Sequence, residues 1–266
     1  MSTDYNPLPP SDLAPPLPTP PPARVPAENP PWSLWDVVTI ALIAFGGMSI
    51  FGLIAGVIAM RVFKLPMQGL ERNPKLAVPA EFLAYLVTLV IMVVVVRSRG
   101  LPFWRTVRWR WTSGIPGYAL LGFLLSIAVG LATSLLPIPK QLPIEQYFAD
   151  TFGTWLLAIF GVTLAPLMEE LFFRGFLYPV LVRRLGLVAG IGLTSLGFGL
   201  IHAPQLGKAW APVLVVFLVG VALTVVRART KSVAASMLVH IAYNGTLSLA
   251  LFVASSGFRH LEKLNQ

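Results

Sequence analysis

The 266-residue sequence predicts an all-α polytopic membrane protein: a bundle of about seven to eight transmembrane helices behind a disordered, Pro-rich N-terminal tail. Three observations carry that expectation. The chain is 56% hydrophobic and 12% charged with a mean hydropathy of +0.75, too apolar for a soluble domain of this size. Its apolar runs approach the roughly 20 residues that a helix needs to cross a bilayer. Its Lys and Arg cluster in short loops between those runs, as topology requires, so the net charge of +9 implies a membrane and no nucleic acid. The absence of cysteine excludes disulfides, thiol nucleophiles and thiolate metal sites.

Residues 1–31 hold half of the 24 prolines and no apolar periodicity, which reads as a solvated, partly polyproline-II tail. Residues 32–150 read as N-terminal transmembrane helices and loops. Trp32 and Trp35 mark an interface, and a first span runs from Trp35 to Met60, closed by Arg61 and Lys64. Its Gly52-Leu-Ile-Ala-Gly56 pattern predicts a face for close helix packing. A second span covers Pro79 to Val96. The flank after it interleaves Arg97, Arg99, Arg105, Arg108 and Arg110 with Trp104, Trp109 and Trp111, the composition of a membrane interface. A third span runs from Ile115 to Leu136 and stops at Pro137 and Pro139. Residues 151–256 read as the transmembrane core that carries the chemistry: a long helix from Phe152 to Arg184 bent at Pro166 and again before Pro179, then spans at Leu187–Ala203, Pro212–Val226 and Val233–Ala254. Residues 257–266 are a short C-terminal tail. The basic loops at 97–111, 183–184 and 227–231 are expected to face the cytoplasm, with the N-terminus on the same side.

The long helix carries the sequence Ala-Pro-Leu-Met-Glu-Glu-Leu-Phe-Phe-Arg-Gly over residues 165–175. A charged side chain near the centre of a spanning helix costs about 2.5–3.5 kcal/mol on insertion scales, so three in six residues need a structural or chemical reason. Glu170 and Arg174 are four residues apart and share a face, where they neutralise each other. Glu169 points about 100° away and has no local counter-ion. An ion-pair cluster tying helices together is the structural reading; a carboxylate held without a counter-ion to act as a general base is the chemical one, and intramembrane ionisable groups favour it.

Later spans add His202, His240 and Asn244, the last two again sharing a face at a spacing of four. At about 1.5 Å per residue, Glu169 lies roughly 21 Å from Arg183, His202 roughly 24 Å from Gly186, His240 roughly 14 Å from Lys231 and Asn244 roughly 20 Å from Lys231. All fall in one slab of a core about 30 Å thick. A lone membrane His or Asn is ordinarily a helix–helix hydrogen-bond partner. A carboxylate, two imidazoles and an amide at one depth imply more, because they can bind a metal or a water and stabilise an oxyanion. The implied chemistry is addition of an activated water to a carbonyl.

Glu169-Glu170-x-x-x-Arg174, Phe198-x-x-x-His202 and His240-x-x-x-Asn244 resemble, in order and spacing, the three motifs of the CPBP family, the CAAX-protease and bacteriocin-processing (Abi) intramembrane endopeptidases. The resemblance covers about residues 152–250. It implies a hydrolase in which Glu169 and His202 activate water and His240 and Asn244 hold the oxyanion, with Glu170, Arg174 and Phe198 in support. It leaves two mechanisms open, a metal-free one and a metalloprotease in which Glu169, His202 and His240 hold zinc. It implies membrane lipid as surroundings and, as substrate, a peptide or protein in the membrane, prenylated C-termini among them. The expected location is a bacterial cytoplasmic membrane. A catalytically silent scaffold or a small-molecule transporter is the alternative.

Overall fold

The computed structural model describes Met1 and residues 28–261, apart from residues 68, 140, 149 and 208. Most of the Pro-rich tail, and residues 262–266 of the C-terminal one, therefore lie outside the described residues.

The described residues are helical, with no strand among them. In chain order the helices are α1 (Leu34–Arg61), α2 (Pro74–Arg97), the single turn α3 (Phe103–Thr106), α4 (Ile115–Ser134), α5 (Thr151–Val162), α6 (Leu164–Glu170), a π-helical segment (Leu171–Leu177), α7 (Tyr178–Leu185), α8 (Leu187–His202), α9 (Trp210–Thr230) and α10 (Val233–Ala254). Among the described residues six stretches are long and apolar enough to cross a membrane, counting Thr151–Leu185 as one; α8 is apolar but shorter at 16 residues. The fold is a polytopic membrane bundle. Large apolar side chains such as Leu42, Leu53, Val90, Leu131 and Leu249 project outward, where lipid rather than protein covers them.

Local chemistry sets the helix ends. Ser33 opens α1 with a capping box: its hydroxyl accepts from the Asp36 amide and the Asp36 carboxylate accepts from the Ser33 amide at 2.7 Å. Asn73 caps α2 just before Pro74, a residue whose missing N–H costs nothing at a first turn. Asp150 caps α5 through the Gly153 amide at 3.0 Å, and that bond holds its carboxyl below the usual range, with Lys75 3.2 Å away adding to the effect. Ser232 caps α10, and Lys231 in a left-handed conformation ends α9.

The long central helix is broken where proline demands it. Pro166 has no N–H for the Val162 carbonyl, and the chain departs from helix at Thr163 (φ −116°, ψ −75°). Pro179 likewise cannot bond back to Gly175, and the turns preceding it widen into the π-helix. That segment begins one residue after Glu170, so the irregularity sits beside the charged residues.

Two expectations change. Gly52 and Gly56 have open space where a side chain would go, so their face of α1 meets no helix among the described residues; α1 and α2 approach instead at Gly47, whose added Cβ would touch Ala84 at 3.4 Å. Residues 28–31 are not loose tail. Glu28 is buried, Arg183 donates to the Pro30 carbonyl at 3.0 Å, and the indole of Trp32, 2% exposed, donates to the Phe176 carbonyl at 3.0 Å while stacking on the Phe176 ring. Pro-rich composition reads as disorder, yet one carboxylate and one indole are enough to seat the segment. Trp32→Ala is expected to destabilise the bundle by about 3–5 kcal/mol, the usual cost of truncating a buried Trp, measurable as a lowered unfolding midpoint in detergent.

Candidate active site

Helix α6 delivers Glu169 and Glu170, α8 delivers His202 and α10 delivers His240 and Asn244. Glu170 is wholly buried and tightly held. Its Oε1 accepts from Arg174 Nη1 at 2.9 Å and from His240 Nδ1 at 3.0 Å, and its Oε2 accepts from the Ser236 hydroxyl at 2.5 Å. Arg174, also without exposure, donates further to the Gly220 carbonyl at 2.9 Å and to Thr224 at 3.3 Å, with its guanidinium 4.5 Å over the Phe198 ring. The Glu170–Arg174 pair thus ties α6 and the π-helix to α9 and α10. Such a pair survives in a low-dielectric interior because nearly every remaining donor and lone pair is met.

Glu169 is different. No Lys or Arg pairs with it among the described residues; its Oε1 lies 3.9 Å from His202 Nε2 and its Oε2 lies 3.8 Å from His240 Nε2. The proton positions on the two rings follow from their other nitrogens. His202 Nδ1 is 2.8 Å from the Phe198 carbonyl, which only accepts, so Nδ1 carries a proton. His240 Nδ1 donates to Glu170 in the same way. In the neutral rings both Nε2 lone pairs therefore face Glu169, at distances too long for direct hydrogen bonds. A small proton-bearing group such as water is what such a gap accommodates.

Asn244 donates through Nδ2 to the Gly161 carbonyl at 2.7 Å, at the end of α5 where Pro166 has disturbed the helix. Its second amide proton remains free of that bond. Phe198, one turn before His202, lies 4.8 Å from the His202 ring and 5.7 Å from the His240 ring, and fixes the space between them.

Glu169, His202, His240 and Asn244 line one cavity of about 470 Å³. Ile144, Tyr147 and Phe148 close one side of it, and the Ile144 amide donates to the Gln205 carbonyl at 2.9 Å, joining the 3₁₀ segment Pro143–Tyr147 to the chain just after His202. A smaller cavity of about 150 Å³ between α1, α2 and the π-helix shares Glu81, Glu169, His202 and Gln205 with the larger one. Glu81 is the residue that sequence reasoning missed. It enters from α2, neighbours Tyr85 and acts electrostatically on His202. Its signal in the sequence is an acidic residue inside an apolar run between Lys75 and Arg97.

Two imidazole nitrogens and a carboxylate are donor types that zinc accepts, and the Nδ1–H bonds to Phe198 and Glu170 orient the rings as outer partners do in zinc sites. The set is open as it stands: among the described residues no group of three or more His, Cys, Asp or Glu is arranged to hold a metal ion.

Fold and site together define a polytopic membrane protein with a polar centre of Glu, His and Asn assembled from three apolar helical stretches. Residues 151–246 match the family model of Rce1-like proteins, described as type II CAAX prenyl endopeptidase Rce1-like, and this supports the CPBP/CAAX protease family. All four candidate residues fall inside the matched segment, whereas Glu81 lies outside it. No curated protein and no solved structure matches the chain significantly.

Proposed function

We propose that the protein is an intramembrane endopeptidase of the CAAX type that hydrolyses a peptide bond of a membrane-associated or lipidated peptide by direct attack of water. The observation that carries this reading is the convergence of Glu169 with two imidazole Nε2 atoms, at 3.9 and 3.8 Å, on the wall of a cavity of about 470 Å³. A water in that gap donates one proton to Glu169 and the other to His202 Nε2, which leaves an oxygen lone pair directed away from both. As the water oxygen bonds to the scissile carbonyl carbon, Glu169 takes the first proton and the carbonyl electron pair moves onto its oxygen. The free amide proton of Asn244 and an Nε2 proton on His240 meet that oxyanion. His240 fills this role when both of its ring nitrogens carry protons, Nδ1 toward Glu170 and Nε2 toward the oxyanion. Collapse of the intermediate breaks the C–N bond, and Glu169 returns its proton to the leaving nitrogen.

Zinc, if it is used, would be held by Glu169, His202 and His240 and would acidify a bound water and polarise the carbonyl. The cavity's apolar walls suit a lipid-embedded chain, prenylated C-termini included, and the arginine-rich end of the bundle faces the cytoplasm together with the N-terminus.

The test is cleavage of fluorogenic peptides, with and without a prenyl group, by purified protein in detergent or nanodiscs. Asn244→Ala is expected to lower turnover by about 10²–10³ with little change in KM, the usual cost of one preorganised oxyanion donor. Activity lost to a strong chelator and restored by zinc, with Asn244→Ala nearly unimpaired, would reverse the metal-free assignment.

A further inference from the structure

A second cavity, of about 450 Å³, lies at the arginine-rich end of the bundle, away from the candidate active site. Arg105 and Arg108 from the α3 region and Arg227 near the end of α9 line it, with Gly175 and Pro179 behind them and the segment 28–32 across it. Among the described residues its one lining carboxylate is Glu28, whose Oε1 accepts from Arg227 at 3.0 Å and whose Oε2 accepts from Arg108 at 3.1 Å. Three guanidinium groups against one carboxylate leave two positive charges in excess. Arg105 has no carboxylate partner among the described residues.

Arg227 in the lining and Tyr178 behind it carry an independent sign of an incomplete site. Arg227 is 1% exposed, yet its Nε has no hydrogen-bond partner among the described residues, and neither does the hydroxyl of the fully buried Tyr178, over whose ring the Arg227 guanidinium sits at 5.3 Å. Buried donors without partners are costly, and a guanidinium fork is shaped for two oxygens of one anion. Trp104, Trp109 and Trp111 follow each other edge to face beside this end of the molecule, at centroid distances of 5.3 and 5.9 Å, and such aromatic groups settle at the headgroup level of a bilayer.

We propose that this cavity is a phosphate-binding site, with Arg105 and Arg108 as its outer ligands, Arg227 at its floor and Glu28 as a built-in anion that holds the arginines together and weakens the site. The ligand is a phosphate group, carried by a lipid headgroup or free in solution. Gly175 and Pro179 in the lining place it directly behind the π-helix that follows Glu169 and Glu170.

The experiment uses the full-length protein in a neutral detergent and follows its unfolding midpoint during titration with dioleoyl phosphatidic acid, with dioleoyl phosphatidylcholine as control, and separately with inorganic phosphate. A saturable rise of the midpoint is expected, because a ligand that binds only the folded state stabilises it in proportion to its saturation. Arg105→Gln, at an exposed position, is expected to weaken binding about tenfold, one charge-assisted bond being lost. Glu28→Gln is expected to tighten it. A response to phosphatidic acid alone assigns the site to a lipid headgroup, and an equal response to inorganic phosphate assigns it to the free anion. No saturable response to either, or a response undiminished in Arg105→Gln, would overturn the proposal.

Discussion

Glu169→Gln is expected to reduce peptide hydrolysis by about 10²–10⁴-fold, the range that a positioned general base contributes, while leaving expression, membrane insertion and unfolding midpoint close to those of the native chain. The substitution keeps the size and shape of the side chain, an amide nitrogen standing where one carboxylate oxygen was, but an amide cannot take a proton from water. The structural cost is small because Glu169 makes no direct hydrogen bond to either histidine at 3.9 and 3.8 Å, so no tight network is dismantled. Turnover and folding thus separate at this position. Near-native turnover in Glu169→Gln would remove Glu169 as the base.

Arg174→Ala is expected to do the reverse, lowering the yield of folded protein together with activity. Removing one member of a buried ion pair costs about 3–5 kcal/mol because the other charge is stranded. Here the stranded group would be Glu170, which has no exposure and which also holds His240 Nδ1 at 3.0 Å. The Arg174 bonds to the Gly220 carbonyl and to Thr224 would go as well, leaving that carbonyl to the Thr224 hydroxyl alone at 2.7 Å among side chains. Denaturant unfolding of the variant in detergent measures the loss, and a midpoint equal to that of the native protein would show that the pair is not holding α6, α9 and α10 together.

Much of this was legible in the sequence because the membrane makes polar residues conspicuous. Inside apolar runs, Glu169, Glu170, Arg174, His202, His240 and Asn244 stand out at the price of their own insertion, and helical spacing already separates Glu170 with its arginine from Glu169 without one. The side-chain network was not legible. Nothing local says that Glu170 rather than Glu169 receives His240 Nδ1, or that Asn244 spends one amide proton on the Gly161 carbonyl, since both are contacts between helices far apart in sequence. Glu81 lies inside the second span, and nothing local says that packing brings it to the cavity that His202 lines. The Pro-rich composition of residues 28–31 hides a carboxylate that reaches across 199 positions to Arg227.

The most direct measurement is mass spectrometry of peptide products formed by the purified protein in water enriched in oxygen-18. Direct attack of a water held by Glu169 and His202 predicts one heavy oxygen in each newly formed C-terminal carboxylate from the native protein, and no such product above background from Glu169→Gln. Labelled product at equal rates from both proteins, or no cleavage by the native protein of either prenylated or unmodified membrane peptides, would contradict it.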